Sequence, residues 1–419
     1  IRNGGELMPR LSTDALTWFE CFTARKRNLW FFSLFFLFPL VGNLISRLTK
    51  ARYWLPDFDA LICGAHNVSR GISPYSLHPV CDGIRPTPYV YAPQVGHFFA
   101  PLEQAFGLEG ARWAFALVYA PAILWLFWYA ILKPMDKAPW HFRLMTLAAM
   151  VGSVLSCGNI GLLLHALTIL AALQMSKSRL PFIAIVICGA LIKPVFVTYL
   201  VVLLLEDRPL IARLRTFLLS ATAGVGTLLA LFLTAGRFSD EWHWALNAVV
   251  ILEQPGIGFF ATTSALGLNT ASAVTLIGLG LFITGMGLAS LVLAEWGGLD
   301  ANERIIFGLG AAQFLNPRLM DYDMFTLAPC MAMVVMMAKP LGQKTFTWVS
   351  WAFAGTLIFC VVCNILEIRA IHRAPVAVFA YGLILLAVAG LTAWPQRARI
   401  RGWFRNPLPV LQDILAQRI

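Results

Sequence analysis

Long apolar runs recur along the whole chain, separated by short polar breaks. The first run begins at Leu29 and the last ends at Trp394. A helix that crosses a bilayer alone needs about 20 apolar residues, and several runs are shorter than that. We therefore predict about twelve transmembrane helices, with the short ones paired as hairpins inside a bundle. The predicted spans are 29–46, 111–133, 143–158, 160–176, 180–193, 194–206, 216–235, 271–294, 304–317, 322–338, 346–366 and 375–394.

The composition agrees with this pattern. Of the 419 residues, 59% are hydrophobic and 13% are charged, whereas soluble domains have roughly 45–50% apolar and about 25% charged residues. A water-soluble fold is excluded. A cleavable leader could not account for the hydrophobicity, because the first apolar run is one of many. The expected fold class is an all-α integral membrane protein.

The basic residues predict the orientation of the chain. If the N-terminus is cytoplasmic, 21 of the 32 Lys and Arg residues fall in inner segments, as the positive-inside rule requires. The net charge of +11 is then mainly a topology signal, and a nucleic-acid partner is not predicted. The expected divisions are a cytoplasmic segment 1–28, a transmembrane module 29–394 with outer segments 47–110 and 236–270, and a basic cytoplasmic tail 395–419 that contacts membrane lipids.

Polar residues at the predicted hairpin tips all emerge on the outer face. They are Asn159, Lys193, Arg318, Asp321 and Asp323. Ionisable groups at membrane depth are costly and are functional candidates by default, so we predict one polar cavity on this face. Helix capping or snorkelling to the headgroups is the alternative for each residue taken singly.

One chemistry suits carboxylates and cations gathered at a membrane surface. The carboxylate acts as general base on an acceptor hydroxyl, and Lys or Arg neutralises a phosphate leaving group on a lipid-linked donor. That reaction is glycosyl transfer from a polyprenyl-phosphate sugar.

Several motifs carry a family resemblance. Residues 57–75 read DFDALICGAHNVSRGISPY, with a Pro-Tyr whose Tyr lies eighteen positions after the first Asp. Downstream follow Tyr91-Ala92-Pro93 with Pro101-Leu102, Gly158-Asn159, Ala190-Leu191-Ile192-Lys193-Pro194, and Asn316-Pro317-Arg318-Leu319-Met320-Asp321-Tyr322-Asp323. From residue 57 to about 338, the order and spacing of these motifs resemble glycosyltransferase family 87.

The resemblance implies a GT-C type helical bundle with a catalytic Asp in its first outer loop. Asp57 occupies the position of that Asp and is the expected general base. The donor would be a polyprenyl-phosphate sugar, and the acceptor a lipid or glycan hydroxyl outside a bacterial inner membrane. The last of these motifs, residues 316–323, corresponds to a late outer loop of the family and is called the late loop here. Where the family usually has His in that loop, this chain has Tyr322 and Asp323. Its sugar or acceptor preference is therefore expected to differ from that of the mannosyl- and arabinosyltransferases of the family.

Each candidate residue has a structural alternative. Asp57 follows Pro56 and could cap the helix that starts there. Asp59, two positions on, points to another side of that helix. Lys193 and Arg318 are the candidate phosphate ligands. The candidate substrate contacts are Asp59, His66, Tyr75, Tyr91, Asn159, Glu253, Asp321, Tyr322 and Asp323. A surface role for His66, an aromatic-belt role for the tyrosines and a helix-dipole role for the two late aspartates stay open.

The cysteines give no metal or redox framework, because most of the eight fall inside apolar runs. Cys63 and Cys81 both lie in the first outer segment and would pair in an oxidising compartment, unless Cys63 faces lipid. No cofactor is predicted. The carboxylates leave room for a divalent ion, but hard cations take several oxygen ligands and none is favoured. A transporter, a lipid-linked sugar flippase and a non-catalytic scaffold are the rival functions.

Overall fold

The computed structural model describes residue 45 and residues 55–133, 135–150, 157–253, 255–366 and 373–405. Within these ranges the chain is mostly helical and contains no strand. Five helical segments are long and apolar enough to cross a membrane. The α-helices are α1 (Pro56–Ser69), α2 (Pro93–Phe127), α3 (Trp140–Met150), α4 (Ile160–Ala172), α5 (Leu180–Ile192), α6 (Val202–Leu205), α7 (Leu210–Leu233), α8 (Ser239–Ala245), α9 (Phe259–Ala265), α10 (Ala273–Trp296), α11 (Ala301–Phe314), α12 (Met324–Met337), α13 (Gln343–Ile365), α14 (Arg373–Ala393) and α15 (Arg397–Arg405).

Short 3₁₀ and π-helical pieces join several of these helices. Two π-helical segments, Trp128–Leu132 and Leu246–Glu253, continue α2 and α8. A 3₁₀ segment, Pro194–Val201, leads into α6. Ten of the twelve apolar segments predicted from the sequence coincide with helices within the described residues. The segment 143–158 is helical up to 150 and is not described over 151–156, and 29–46 lies almost wholly outside the described residues.

Burial separates the central helices from the peripheral ones. Helix α12 is buried along nearly its whole length and packs against α11 and α3. In contrast, α7 and α10 expose rows of leucine and isoleucine side chains such as Leu218, Leu219 and Ile277. A helix that is apolar on all sides and surrounded by protein belongs in the core of a bundle, while exposed apolar faces suit contact with lipid. The chain is therefore a membrane-embedded helical bundle.

The first outer segment contains two helices packed against each other, α1 and the beginning of α2. Helix α2 is interrupted at Gly107, whose φ of 64° and ψ of 177° are not helical. The break separates residues 93–106 from the apolar stretch that follows. The sequence predicted a span beginning at 111, so the helical character of 93–106 is an addition to the predicted outer segment.

A disulfide joins Cys63 to Cys81, with a Cα–Cα distance of 6.0 Å. Cys63 is buried on the side of α1 that meets the following loop. It does not face lipid, which is the orientation that would have prevented pairing. The bond ties α1 to the loop between α1 and α2, 18 positions further along.

Replacing Cys81 with serine should lower the stability of the purified protein. A bond that closes a loop of this length is worth about 3 kcal/mol through the unfolded chain. We expect a lower melting temperature for Cys81→Ser, and a reductant should lower the melting temperature of the parent but not of the variant. Cys188→Ser, at an exposed unpaired cysteine, is the matched control. A parent protein whose melting is insensitive to reductant would contradict the prediction.

Candidate active site

The backbone before α1 docks closely on the turn that precedes α4. The Asp57 N–H donates to the Cys157 carbonyl oxygen at 2.8 Å. Gly158 has a φ of +70°, and a Cβ placed on it would lie 2.7 Å from the Leu55 Cβ, so only glycine allows this approach. Leu55 itself adopts a left-handed conformation with φ 62°. Such backbone strain is often stored at functional sites, and here it sets the position of Asp57.

Four polar side chains form a continuous chain from α1 to the late loop. The Asn159 Nδ2 donates to Asp57 Oδ2 at 2.7 Å, and the same asparagine accepts through Oδ1 from the Lys193 ammonium. Lys193 Nζ also donates to the Tyr322 hydroxyl at 2.9 Å and lies 4.1 Å from the centre of that ring. Thr87 donates a longer hydrogen bond, 3.3 Å, to Asp57 Oδ1. Asp57 is half-buried, so its carboxylate is held in place and still accessible.

Two members of this hydrogen-bonded chain, Asn159 and Lys193, are positioned by the helix ends at which they lie. Asn159 caps the N-terminus of α4, where its Oδ1 accepts from the Gly161 N–H at 2.9 Å. Lys193 stands between α5 and Pro194, at the bend of a helical hairpin. A lysine at such a bend belongs to neither helical segment, and its long side chain can extend past the helix end.

Arg318 and Tyr91 lie beside this hydrogen-bonded chain of side chains. The Arg318 guanidinium is within electrostatic range of Lys193, Tyr322 and Tyr91. The Asp323 and Asp57 carboxylates also act on Lys193, so Lys193 and Arg318 are the cations of a cluster of mixed charge. The loop carrying Arg318 is braced by the start of the α9 region, where the Ile257 N–H donates to the Leu319 carbonyl oxygen at 2.6 Å.

A second polar network, which is fully buried, joins the late loop to α4 and to the 3₁₀ segment Pro194–Val201. His165 Nε2 donates to Asp323 Oδ1 at 2.5 Å, and His165 Nδ1 lies 2.6 Å from the Tyr199 hydroxyl. Asp323 Oδ2 accepts from the Met320 N–H at 2.8 Å and from Asn316 Nδ2 at 3.3 Å. Asp323 was predicted as a substrate contact, but these bonds make it a support for the loop.

Three other predicted site residues have partners elsewhere. Asp59 is completely buried and pairs with Arg112, whose Nε lies 2.9 Å from Asp59 Oδ1. Burial outweighs the guanidinium and raises the pKa of Asp59 to about 6. His66 Nδ1 lies 2.7 Å from Glu103 Oε1, and the Tyr75 hydroxyl donates to the Tyr91 carbonyl oxygen at 2.9 Å. None of these three joins the chain that contains Asp57.

Two predicted contacts remain without a described role. Asp321 is half-buried in the 3₁₀ turn Asp321–Asp323. The side chain of Glu253 lies outside the described residues. Within the described parts of the chain, no three His, Cys, Asp or Glu side chains are placed to hold a metal ion together.

His165, Tyr199 and Thr87 were not predicted from the sequence as site residues. His165 lies six positions after Asn159 in an apolar helix, where a single histidine gives no periodic pattern. Its position on the helix of the predicted Gly158-Asn159 tip was the one available signal. Thr87 and Tyr199 carry no such signal, because their roles depend on tertiary contacts.

Comparisons with known proteins give no relative for this chain. No protein-family model, no curated protein and no solved structure matches it. The function is therefore inferred from the site itself.

Proposed function

We propose that this protein is a membrane glycosyltransferase of GT-C type, similar to glycosyltransferase family 87. It moves mannose or another hexose or pentose from a polyprenyl-phosphate donor to a hydroxyl of a lipid or glycan. The proposal includes about twelve spans, both termini in the cytoplasm, and an active site on the outer face of a bacterial inner membrane. The Cys63–Cys81 disulfide supports that placement, because disulfides persist in oxidising compartments.

The observation that carries the proposal is the double role of Asn159. One side chain holds an accessible carboxylate through Nδ2 and a cation through Oδ1. Glycosyl transfer from a phosphate donor needs a base on the acceptor side of the anomeric carbon and a positive charge on the leaving-group side. A single asparagine keeps the two at a fixed separation, which is the positioning that catalysis requires.

The reaction follows from these groups. Asp57 takes the proton of the acceptor hydroxyl as its oxygen attacks the anomeric carbon. The new carbon–oxygen bond forms while the bond to the phosphate oxygen breaks, and the polyprenyl phosphate leaves with the electron pair. Lys193 and Arg318 stabilise the charge on that phosphate. One direct displacement needs one base, so no second catalytic carboxylate is required.

The test is direct assay of the purified protein. It is incubated with polyprenyl-phosphate mannose, glucose and arabinose in turn, together with a membrane lipid extract, and the products are analysed by mass spectrometry. We expect one donor to be consumed, with release of polyprenyl phosphate and gain of one sugar on an acceptor. Movement of an intact donor across proteoliposomes without release of polyprenyl phosphate would instead identify a flippase.

Removing the Lys193 ammonium should weaken donor binding. A hydrogen bond to a charged group is worth about 1.5 to 3 kcal/mol, so Lys193→Ala should raise the donor Kd about 10- to 100-fold. Lys133→Ala is the matched control, because Lys133 also lies over a tyrosine ring, 5.9 Å from the centre of Tyr129. Unchanged donor affinity in Lys193→Ala, with loss of affinity in Arg318→Ala, would transfer the phosphate role to Arg318.

A further inference from the structure

A separate cavity of about 350 Å³ lies at the other end of α1 from Asp57. Its walls come from the C-terminal end of α1, the first turn of α2 and the turn that follows α7. From Asp57 to Ser69 the helix rises by about 18 Å, at 1.5 Å per residue. The cavity is therefore distinct from the site that holds Asp57, Asn159, Lys193 and Tyr322.

Arginine is the permanently charged residue in the lining of this cavity. Arg237 and His97 line it, and no carboxylate does; Asp240 and Glu241, the nearest acidic residues in the chain after Arg237, are outside the lining. The Arg237 guanidinium lies 4.5 Å from the centre of the Phe238 ring. On its other side is Gly71, where an added Cβ would come within 2.8 Å of Arg237 Nη2. A guanidinium held in this way is pre-organised to bind phosphate through two parallel hydrogen bonds.

Gln94 also lines the cavity and joins the first turn of α2 to the end of α7. Its Nε2 donates to the Leu231 carbonyl oxygen at 2.9 Å and to the Thr234 hydroxyl at 3.0 Å. These bonds hold two walls of the cavity together.

The surroundings of the cavity are apolar and exposed. Phe98, next to His97, is 73% exposed, and Leu233, next to Thr234, is 76% exposed. Leu233 is also the last residue of α7, one of the candidate membrane spans. The cavity thus lies at the end of a helix long and apolar enough to span a membrane, and exposed apolar residues adjoin its lining residues in the sequence. A soluble phosphate ester would make no use of those apolar side chains, whereas the acyl chains of a lipid would cover them.

We propose that this cavity binds the headgroup of a phospholipid. The phosphate contacts Arg237 and His97, and the acyl chains lie along Phe98 and Leu233. This site is independent of the sugar-transfer proposal, since none of its residues belongs to the chain that contains Asp57.

Native mass spectrometry of the full-length, delipidated protein tests the proposal. Dioleoylphosphatidylglycerol is added to the parent, to Arg237→Ala and to Arg85→Ala, an exposed arginine of the same outer segment that does not line the cavity. We expect the parent and Arg85→Ala to retain one tightly bound lipid. In Arg237→Ala the affinity of that lipid should fall at least tenfold.

Two further probes separate the sources of binding. Dioleoylglycerol, which lacks the phosphate, should not be retained at this site, and glycerol 1-phosphate, which lacks the acyl chains, should bind at least tenfold more weakly than the phospholipid. Equal lipid retention by the parent and Arg237→Ala would overturn the proposal, as would equal retention of dioleoylglycerol. Tight binding of glycerol 1-phosphate would overturn the lipid assignment and identify a site for a soluble phosphate ester.

Discussion

Replacing Asp57 with asparagine should abolish sugar transfer while leaving the protein folded. A positioned general base contributes about 10²- to 10⁴-fold to a rate, so we expect a decrease of that size in kcat for Asp57→Asn. The substitution suits the site, because an amide oxygen can still accept from Asn159 Nδ2 and the amide nitrogen can donate to the Thr87 hydroxyl. Donor binding should be nearly unchanged, since Lys193 and Arg318 remain in place.

The measurements are the turnover rate with the donor identified by the direct assay, the donor Kd, and the melting temperature. Asp82→Asn is the control, because Asp82 is an exposed carboxylate in the same outer segment. Parent-like turnover in Asp57→Asn would remove Asp57 from the mechanism. A fall in melting temperature together with turnover would make its role structural.

The helices were largely predictable from the sequence because long apolar runs have few alternatives in a membrane protein. Glycine and proline breaks marked the tips at Gly158 and Lys193: α4 begins shortly after Gly158, and α5 ends just before Lys193. The interruption of α2 at Gly107 was not predicted, since a single glycine inside an amphipathic stretch does not reveal its conformation. The twelve-span arrangement stays a prediction, because residues 29–46 are almost wholly outside the described part of the chain.

The gathering of polar residues was predictable, but their pairing was not. Asn159, Lys193 and Tyr322 were expected on one face, and the structure joins them to Asp57 by hydrogen bonds. Which atoms meet depends on the rotation of each helix about its axis, and an apolar sequence without clear amphipathicity does not encode that rotation. Asp59 is a residue whose direction was predictable but whose partner was not. It lies two positions from Asp57 on a helix and was expected to point away from it. The sequence did not indicate that it would pair with Arg112.

Replacing Asp323 with alanine should destabilise the protein strongly through the late loop. The carboxylate accepts hydrogen bonds from His165, from the Met320 N–H and from Asn316, and it is buried. Each of these three buried donors left without a partner costs about 1 to 3 kcal/mol, so the free energy of unfolding should fall by at least about 3 kcal/mol. Donor binding in the surviving folded protein should also weaken, because Arg318 and Tyr322 are carried by the loop that Asp323 holds.

Two comparison variants separate loop support from direct substrate contact. Asp323→Asn keeps an oxygen that can accept hydrogen bonds in this network and should lose about 1 kcal/mol, the size of one ordinary hydrogen bond, with donor affinity largely retained. Asp321→Ala alters a less buried carboxylate of the same turn and should lose less stability than Asp323→Ala. If Asp323→Ala melted at the same temperature as Asp321→Ala while both Asp323 variants lost donor affinity, Asp323 would contact the substrate. The buried bonds to His165 and Met320 predict instead that Asp323→Ala loses stability, and that its loss of donor affinity is a consequence of the disturbed loop.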